Sequence, residues 1–304
     1  MNTETHTPQA AALPPPPGAR DVMLTLVRRE FWEHTSLWLV PAIGAAVLAL
    51  LALGASQATI NVDLAHLPRI SADDRAMITN VSQDAFLGIV YLVASVVVSF
   101  YALDCLYSER KDRSILFWKS LPVSDGMTVL SKFLVATVAV PFGALLLATA
   151  SHLIALTAWN TRAHFGGFPP LGFDLTAWLR GEVFLVLIVL LASLWYAPVI
   201  AASMLLSAWV KRSPVMWATV GVLGLLLADA IVFHTGWVSS VIRYRSNGIW
   251  RVLFANNDMN EHTHLLDTLH WGAAFGHPNL WLGVVAAGAM LYLAARVRRY
   301  RDDT

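Results

Sequence analysis

The sequence predicts an all-α membrane protein with six transmembrane helices, and three observations carry that class. The chain is 57% hydrophobic and only 13% charged, whereas a soluble domain carries about 25% charge. Six apolar runs reach the roughly 20 residues of helix that a hydrocarbon core about 30 Å thick requires. The basic residues collect on one side of those runs. A helix is the element to expect, because an open strand leaves its backbone unsatisfied in lipid. The single cysteine, Cys105, excludes an internal disulfide framework and a Cys-based metal site.

Residues 1–20, with "LPPPPGAR", read as a flexible Pro-rich tail without the apolar core of a signal peptide. Residues 21–304 read as one transmembrane domain. In "DVMLTLVRREFWEHTSLW", Val22, Met23, Leu26, Val27 and Phe31 share one arc at 100° per residue, opposite Thr25, Arg28, Arg29 and Ser36. This predicts an N-terminal amphipathic helix in the membrane interface, with Arg28, Arg29, Glu30 and Trp32 on it and Trp32 and Trp38 at headgroup level. Glu30 and Glu33 interrupt the apolar arc, so part of that face is expected to meet protein. The spans follow at about 37–56, 86–106, 133–158, 183–208, 214–234 and 279–295. Pro41, Pro141 and Pro198 fall inside them as expected kinks.

All four lysines (Lys111, Lys119, Lys132, Lys211) and most arginines, including Arg28, Arg29, Arg110, Arg113, Arg298 and Arg299, fall on one side of these spans. By the positive-inside rule that side is cytoplasmic and both termini are cytoplasmic. The loop of about 235–278 is then external.

The densest charge lies between spans two and three, in "LYSERKDRSILFWKSLPVSDGMTVLSK", Leu106 to Lys132. "SERKDR" is solvated, and Ile115, Leu116, Phe117, Trp118 and Leu121 then place apolar bulk in an aqueous loop. Pro122 ends any helix there, and Ser124 is an N-cap for the next. Apolar side chains beside charge suit a protein-contact surface. Tucking them against the membrane interface is the other reading, and the residues alone leave both open.

The string "ERKDRSILFWKSLPVSDGMTVLSK" resembles the loop between spans two and three of type-2 ABC exporter permeases, with Glu109, Arg110, Leu121, Pro122, Ser124 and Lys132 matching its pattern. "LVRREFWE" resembles that family's N-terminal interface helix, and the six-span plan covers nearly the whole chain. Where the family commonly has a glycine after the charged pair, this chain has Ser114. The resemblance implies a prokaryotic inner-membrane permease that pairs with a second copy or a paralogous permease. It also implies two ABC ATPase subunits carrying ATP and Mg²⁺. In this reading the loop is a coupling helix, with Glu109, Arg110, Arg113, Ile115, Leu116, Phe117, Trp118, Leu121 and Pro122 engaging the ATPase. The chain is not expected to be an enzyme or to bind a cofactor, since no lysine stands in a G-x-x-x-x-G-K-[ST] context.

Other polar features are weaker signals. Asp229 lies within the fifth span and His234 just over a turn beyond, an intramembrane polar pair for substrate, proton or another helix. Asp104 reads as a helix-end residue in water. His262, His264 and His270, with nearby carboxylates, could gather zinc in a membrane-embedded metal-dependent enzyme. No H-E-x-x-H motif is present, and a helix would splay His262 from His264. Leu265, Leu266, Leu269 and Trp271 suggest instead an external amphipathic helix. A membrane scaffold or sensor that binds an ATPase is a further alternative. The basic clusters are short and adjoin the membrane, which argues against nucleic-acid binding.

Overall fold

The computed structural model describes residues 18–58, 71–112, 123–166, 170–255 and 269–300. Among the described residues every regular element is helical, and six helical stretches are long and apolar enough to cross a membrane. The protein is an all-α, multi-pass membrane protein.

Helix α1 (Ala19–Glu33) precedes the first span, α2 (Ser36–Ala58). The expected apolar arc does face inward: Leu26 is buried, and Val27 and Phe31 pack on the core. Arg28 and Trp32 stay outside, with the guanidinium 4.6 Å from the ring centroid. Helix α3 (Ala72–Asp104) opens with a capping box, in which the Ser71 hydroxyl accepts from Asp74 N–H and the Asp74 carboxylate from Ser71 N–H. It ends at exposed Asp104, and a short helix α4 (Tyr107–Lys111) follows.

Ser124 caps α5 (Asp125–Leu134) as expected, its hydroxyl accepting from Met127 N–H at 3.2 Å. A π turn at Val135–Ala139 joins α5 to α6 (Val140–Gly166). Pro141 lacks an N–H and its ring crowds the carbonyl four residues back, so the wider turn relieves a clash inside a continuous span. Helix α7 (Leu175–Trp209), capped by the Asp174 carboxylate, is the central post. It packs along α3 and along α11 (Pro278–Tyr300). Leu191, Trp195, Ala201 and Met204 on α7 are wholly enclosed.

The fifth span, α8 (Pro214–Ala228) with a second π turn at Asp229–Phe233, is different. Only 6% of its apolar window is buried within the chain, against 44% for α7, so its surface is left for lipid or another protein.

The stretch read as an external loop holds α9 (Trp237–Leu253) and a short α10 (Trp271–Phe275). Helix α9 locks onto α7 by a reciprocal pair. Trp195 Nε1 donates to the Arg245 carbonyl at 2.6 Å, and the Arg245 guanidinium donates to the Trp195 carbonyl while lying 4.3 Å over its ring. Leu269 is buried and Trp271 begins α10, while Leu265 and Leu266 lie outside the described residues.

Candidate functional site

At the end of the bundle that carries α1 and the end of α11, four helices deliver charged side chains into one buried cluster, and α3 adds a tyrosine hydroxyl. Glu30 sits on the packed face of α1, and Lys132 extends the packed row of Thr128 and Val129 on α5; both are fully buried. Lys132 Nζ donates to the two Glu30 oxygens at 2.9 and 2.8 Å, and lies 3.1 Å from Glu109 Oε1 on α4. Tyr101 of α3 donates its hydroxyl to Glu30 Oε2 at 2.9 Å. Arg298, from the last turns of α11, donates to Glu109 Oε2 and, at 2.9 Å, to Asp125 Oδ1. Its place follows from α11's packing stripe: Leu280, Gly283, Ala287 and Ala294 recur at helical spacing, and Arg298 continues the row.

Arg29 completes the cluster. The arc analysis puts it opposite the apolar face, yet its long side chain curls inward to reach Glu30 Oε1 at 2.8 Å, Glu109 Oε1 at 3.2 Å and Glu33 at 3.3 Å. Among the described residues three cations therefore face four carboxylates. A buried carboxylate or ammonium is tolerated only when paired and hydrogen-bonded, and each of these groups has at least one charged partner. At the rim, burial pushes the Glu33 carboxyl up from its ordinary value. Burial, and then the Lys132 charge, pushes the His34 imidazole down. The His34 ring meets Tyr101 edge-on at 5.0 Å.

The neighbouring residue Arg110 turns the other way. Its guanidinium donates to the Ser207 carbonyl at 2.6 Å and the Val210 carbonyl at 2.9 Å, satisfying the C-terminus of α7. The Ser207 hydroxyl in turn accepts from the N–H groups of Leu106 and Tyr107 at 3.2 and 3.0 Å, where α3 breaks into α4. Glu109 and Arg110 thus hold the foot of the charged loop on two sides. Of the other residues assigned to coupling, Arg113, Ile115, Leu116, Phe117, Trp118, Leu121 and Pro122 lie outside the described residues.

Glu30, Glu33 and His34 bring potential ligand atoms within 4.8 Å of one another. They do not suit a metal ion, because the Lys132 ammonium and the Tyr101 hydroxyl already occupy the Glu30 oxygens. Of the external histidines, His270 is exposed at the start of α10, and His262 and His264 lie outside the described residues.

No hydrogen bond joins Asp229 to His234 among the described residues. The Asp229 carboxylate, 4% exposed, accepts from the Thr235 hydroxyl and from Val238 N–H at 2.9 Å, so it ties α8 to the first turn of α9. His234 is exposed in the left-handed region, φ 51°, where the chain reverses before Gly236.

Sequence reasoning did not find Tyr101, Asp125 and Arg298 as members of the cluster. Arg298 was readable as the basic end of a small-residue stripe; Tyr101 carried no signal of its own. No family model matches the chain, and no curated protein is significantly similar to it.

Proposed function

We propose that this chain is the permease subunit of an ATP-driven exporter of the type-2 ABC class. It resides in a prokaryotic cytoplasmic membrane with both termini on the cytoplasmic side. A second permease copy or paralogue and two ATPase subunits complete the assembly. ATP and Mg²⁺ belong to the ATPase chains.

The observation that supports this reading best is the foot of the loop between α3 and α5. Through Glu109 it is clamped to α1, α5 and α11, and through Arg110 to the end of α7. A load applied to that loop reaches four helices at once through charge-assisted bonds, which are short and about twice as strong as neutral ones. Packed helices move as rigid units and switch between discrete arrangements. A loop meant only to connect two spans needs no such foundation. The nearly bare surface of α8 supports the second permease copy in the same way.

The test is affinity purification from the native membrane in mild detergent, followed by mass identification and an ATPase assay. A stoichiometric ATPase is expected. Trp118→Ala or Leu116→Asp is expected to weaken its binding by roughly 2 kcal/mol, about thirtyfold, as for a contact hot spot. The chain should remain folded in the membrane. A lone chain without ATPase would discard this reading, and the ATPase-binding sensor with it, in favour of the metal-dependent enzyme, which zinc analysis would then test.

A further inference from the structure

At the opposite end of the bundle a second set of polar side chains meets, drawn from three spans. Gln83 of α3 and His152 of α6 are each only 2% exposed, and Glu182 of α7 is half-buried. Gln83 Nε2 donates to Glu182 Oε1 at 2.8 Å, and Thr149 Oγ1 donates to both carboxylate oxygens at 3.1 and 3.0 Å. Among the described residues no cation reaches this carboxylate.

Two buried acceptors lack donors, one on Gln83 and one on His152, a turn along α6 from Thr149. Gln83 Oε1 has no partner and is turned to α7 at Gly181, where a Cβ would stand 2.5 Å away. The amide cannot be reversed, since its oxygen would then face the carboxylate, acceptor against acceptor. His152 is fixed by a relay: the Ser82 hydroxyl gives its proton to the Thr79 carbonyl at 2.8 Å. Ser82 Oγ must therefore accept from His152 Nε2–H, 3.0 Å away. The lone pair of the neutral ring is then on Nδ1, buried and without a partner.

Depth is set by α7. Glu182 and Ser207 are 25 residues apart, about 37 Å at 1.5 Å per residue. Ser207 is level with the ion cluster, and the hydrocarbon core is only ~30 Å thick. Glu182 therefore stands at headgroup height in the far leaflet.

We propose that Glu182, Gln83 and His152 form a binding site for a primary ammonium group, carried by an aminophospholipid headgroup or by a small free amine. Such a group has one positive charge and three N–H donors and accepts nothing. The carboxylate supplies the counter-charge, and the amide oxygen and the imidazole lone pair supply neutral acceptors. Calcium and magnesium ions call for more oxygen ligands than this set has. A quaternary ammonium has the charge but no N–H. The site needs only α3, α6 and α7 and no ATPase, so it stands or falls separately from the exporter reading.

Purified full-length chain in detergent, titrated calorimetrically with three probes, tests this. Short-chain phosphatidylethanolamine is expected to bind saturably and short-chain phosphatidylcholine not to bind. Glu182→Gln is expected to weaken binding by about tenfold or more, the loss of one charged hydrogen-bonding partner. Gly181→Ala, which drives the Gln83 side chain aside, should weaken it in the same direction. Methylammonium binding as tightly as the ethanolamine lipid identifies a free amine as the ligand, and lipid binding alone identifies the headgroup. Thermal unfolding reports whether each variant folds, and Gln83→Met stands in for either that does not. Equal binding of the choline lipid, no binding of either amine, or unchanged affinity in the folded variants overturns the proposal.

Discussion

Lys132 is the residue on which the charged cluster turns, because among the described residues it alone contacts both Glu30 and Glu109 from a fully buried position. Removing one partner of a buried ion pair strands the others, at about 3–5 kcal/mol. Lys132→Met should therefore lower stability by that amount in denaturant unfolding of detergent-purified protein. The double variant Lys132→Met with Glu30→Leu should recover most of the loss, since Arg29 and Arg298 still serve Glu109. A single variant as stable as the parent would show that the cluster is not closed by this lysine. At the rim, the His34 imidazole titrates below its ordinary 6.5 because burial disfavours its charge. The unfolded chain then takes up a proton first as pH falls, so stability drops from about pH 6.5 downward and levels off below the folded value. The raised Glu33 carboxyl acts in the other sense, its share of stability being lost as pH rises from 4.5 through its folded value. His34→Gln should flatten the loss between about pH 7 and pH 5.5; an unchanged slope in unfolding curves would assign it to other groups.

Among the elements, what was legible in the sequence follows how local each signal is. The six spans could be read because apolar length is a property of consecutive residues. The structure extends several of them past the expected ends, and that is where Gln83, Asp125, Glu182 and Arg298 lie. The expected spans 86–106 and 183–208 stop just short of Gln83 and Glu182, because charged and amide groups end an apolar window even where the helix continues. The cluster at the other end was hidden for a different reason: Glu109 and Arg298 are 189 residues apart, and no local pattern announces such a pairing. Helix α9 was read as loop since Arg243, Arg245 and Arg251 dilute its hydrophobicity, although Ile242, Ile249 and Leu253 recur at helical spacing. Asp229 fixes where α9 begins, through Thr235 and Val238. Asp229→Ala should cost about 0.5–2 kcal/mol, as for other capping residues. Hydrogen exchange would find the loss concentrated in the first turn of α9; uniform exchange along α8 and α9 would speak against the cap.

For the whole molecule, the topology expected from the basic residues predicts that reporters fused to either terminus are both active in the cytoplasm. Both termini reporting from outside would invert the bundle and remove the charged loop from any cytoplasmic ATPase, and one alone would mean an odd number of crossings. The bare surface of α8 makes a second prediction. Cysteines placed singly at Val220, Leu223 and Leu227, all exposed, should yield a cross-linked pair of chains in native membranes for at least one position. The native Cys105 is buried and should stay silent. Failure at all three would leave that surface to lipid.

The charged cluster also orders events during synthesis. Glu109 and Asp125 enter the membrane assembly early, but the guanidinium that joins them arrives with Arg298, in the last turns of α11. Until the sixth span leaves the ribosome and docks, the partly built bundle holds carboxylates lacking that cation near its core. Nascent chains stalled before α11 should thus be recognisable to membrane quality-control proteases. Once α11 docks, Arg298 covers the same groups and closes the cluster.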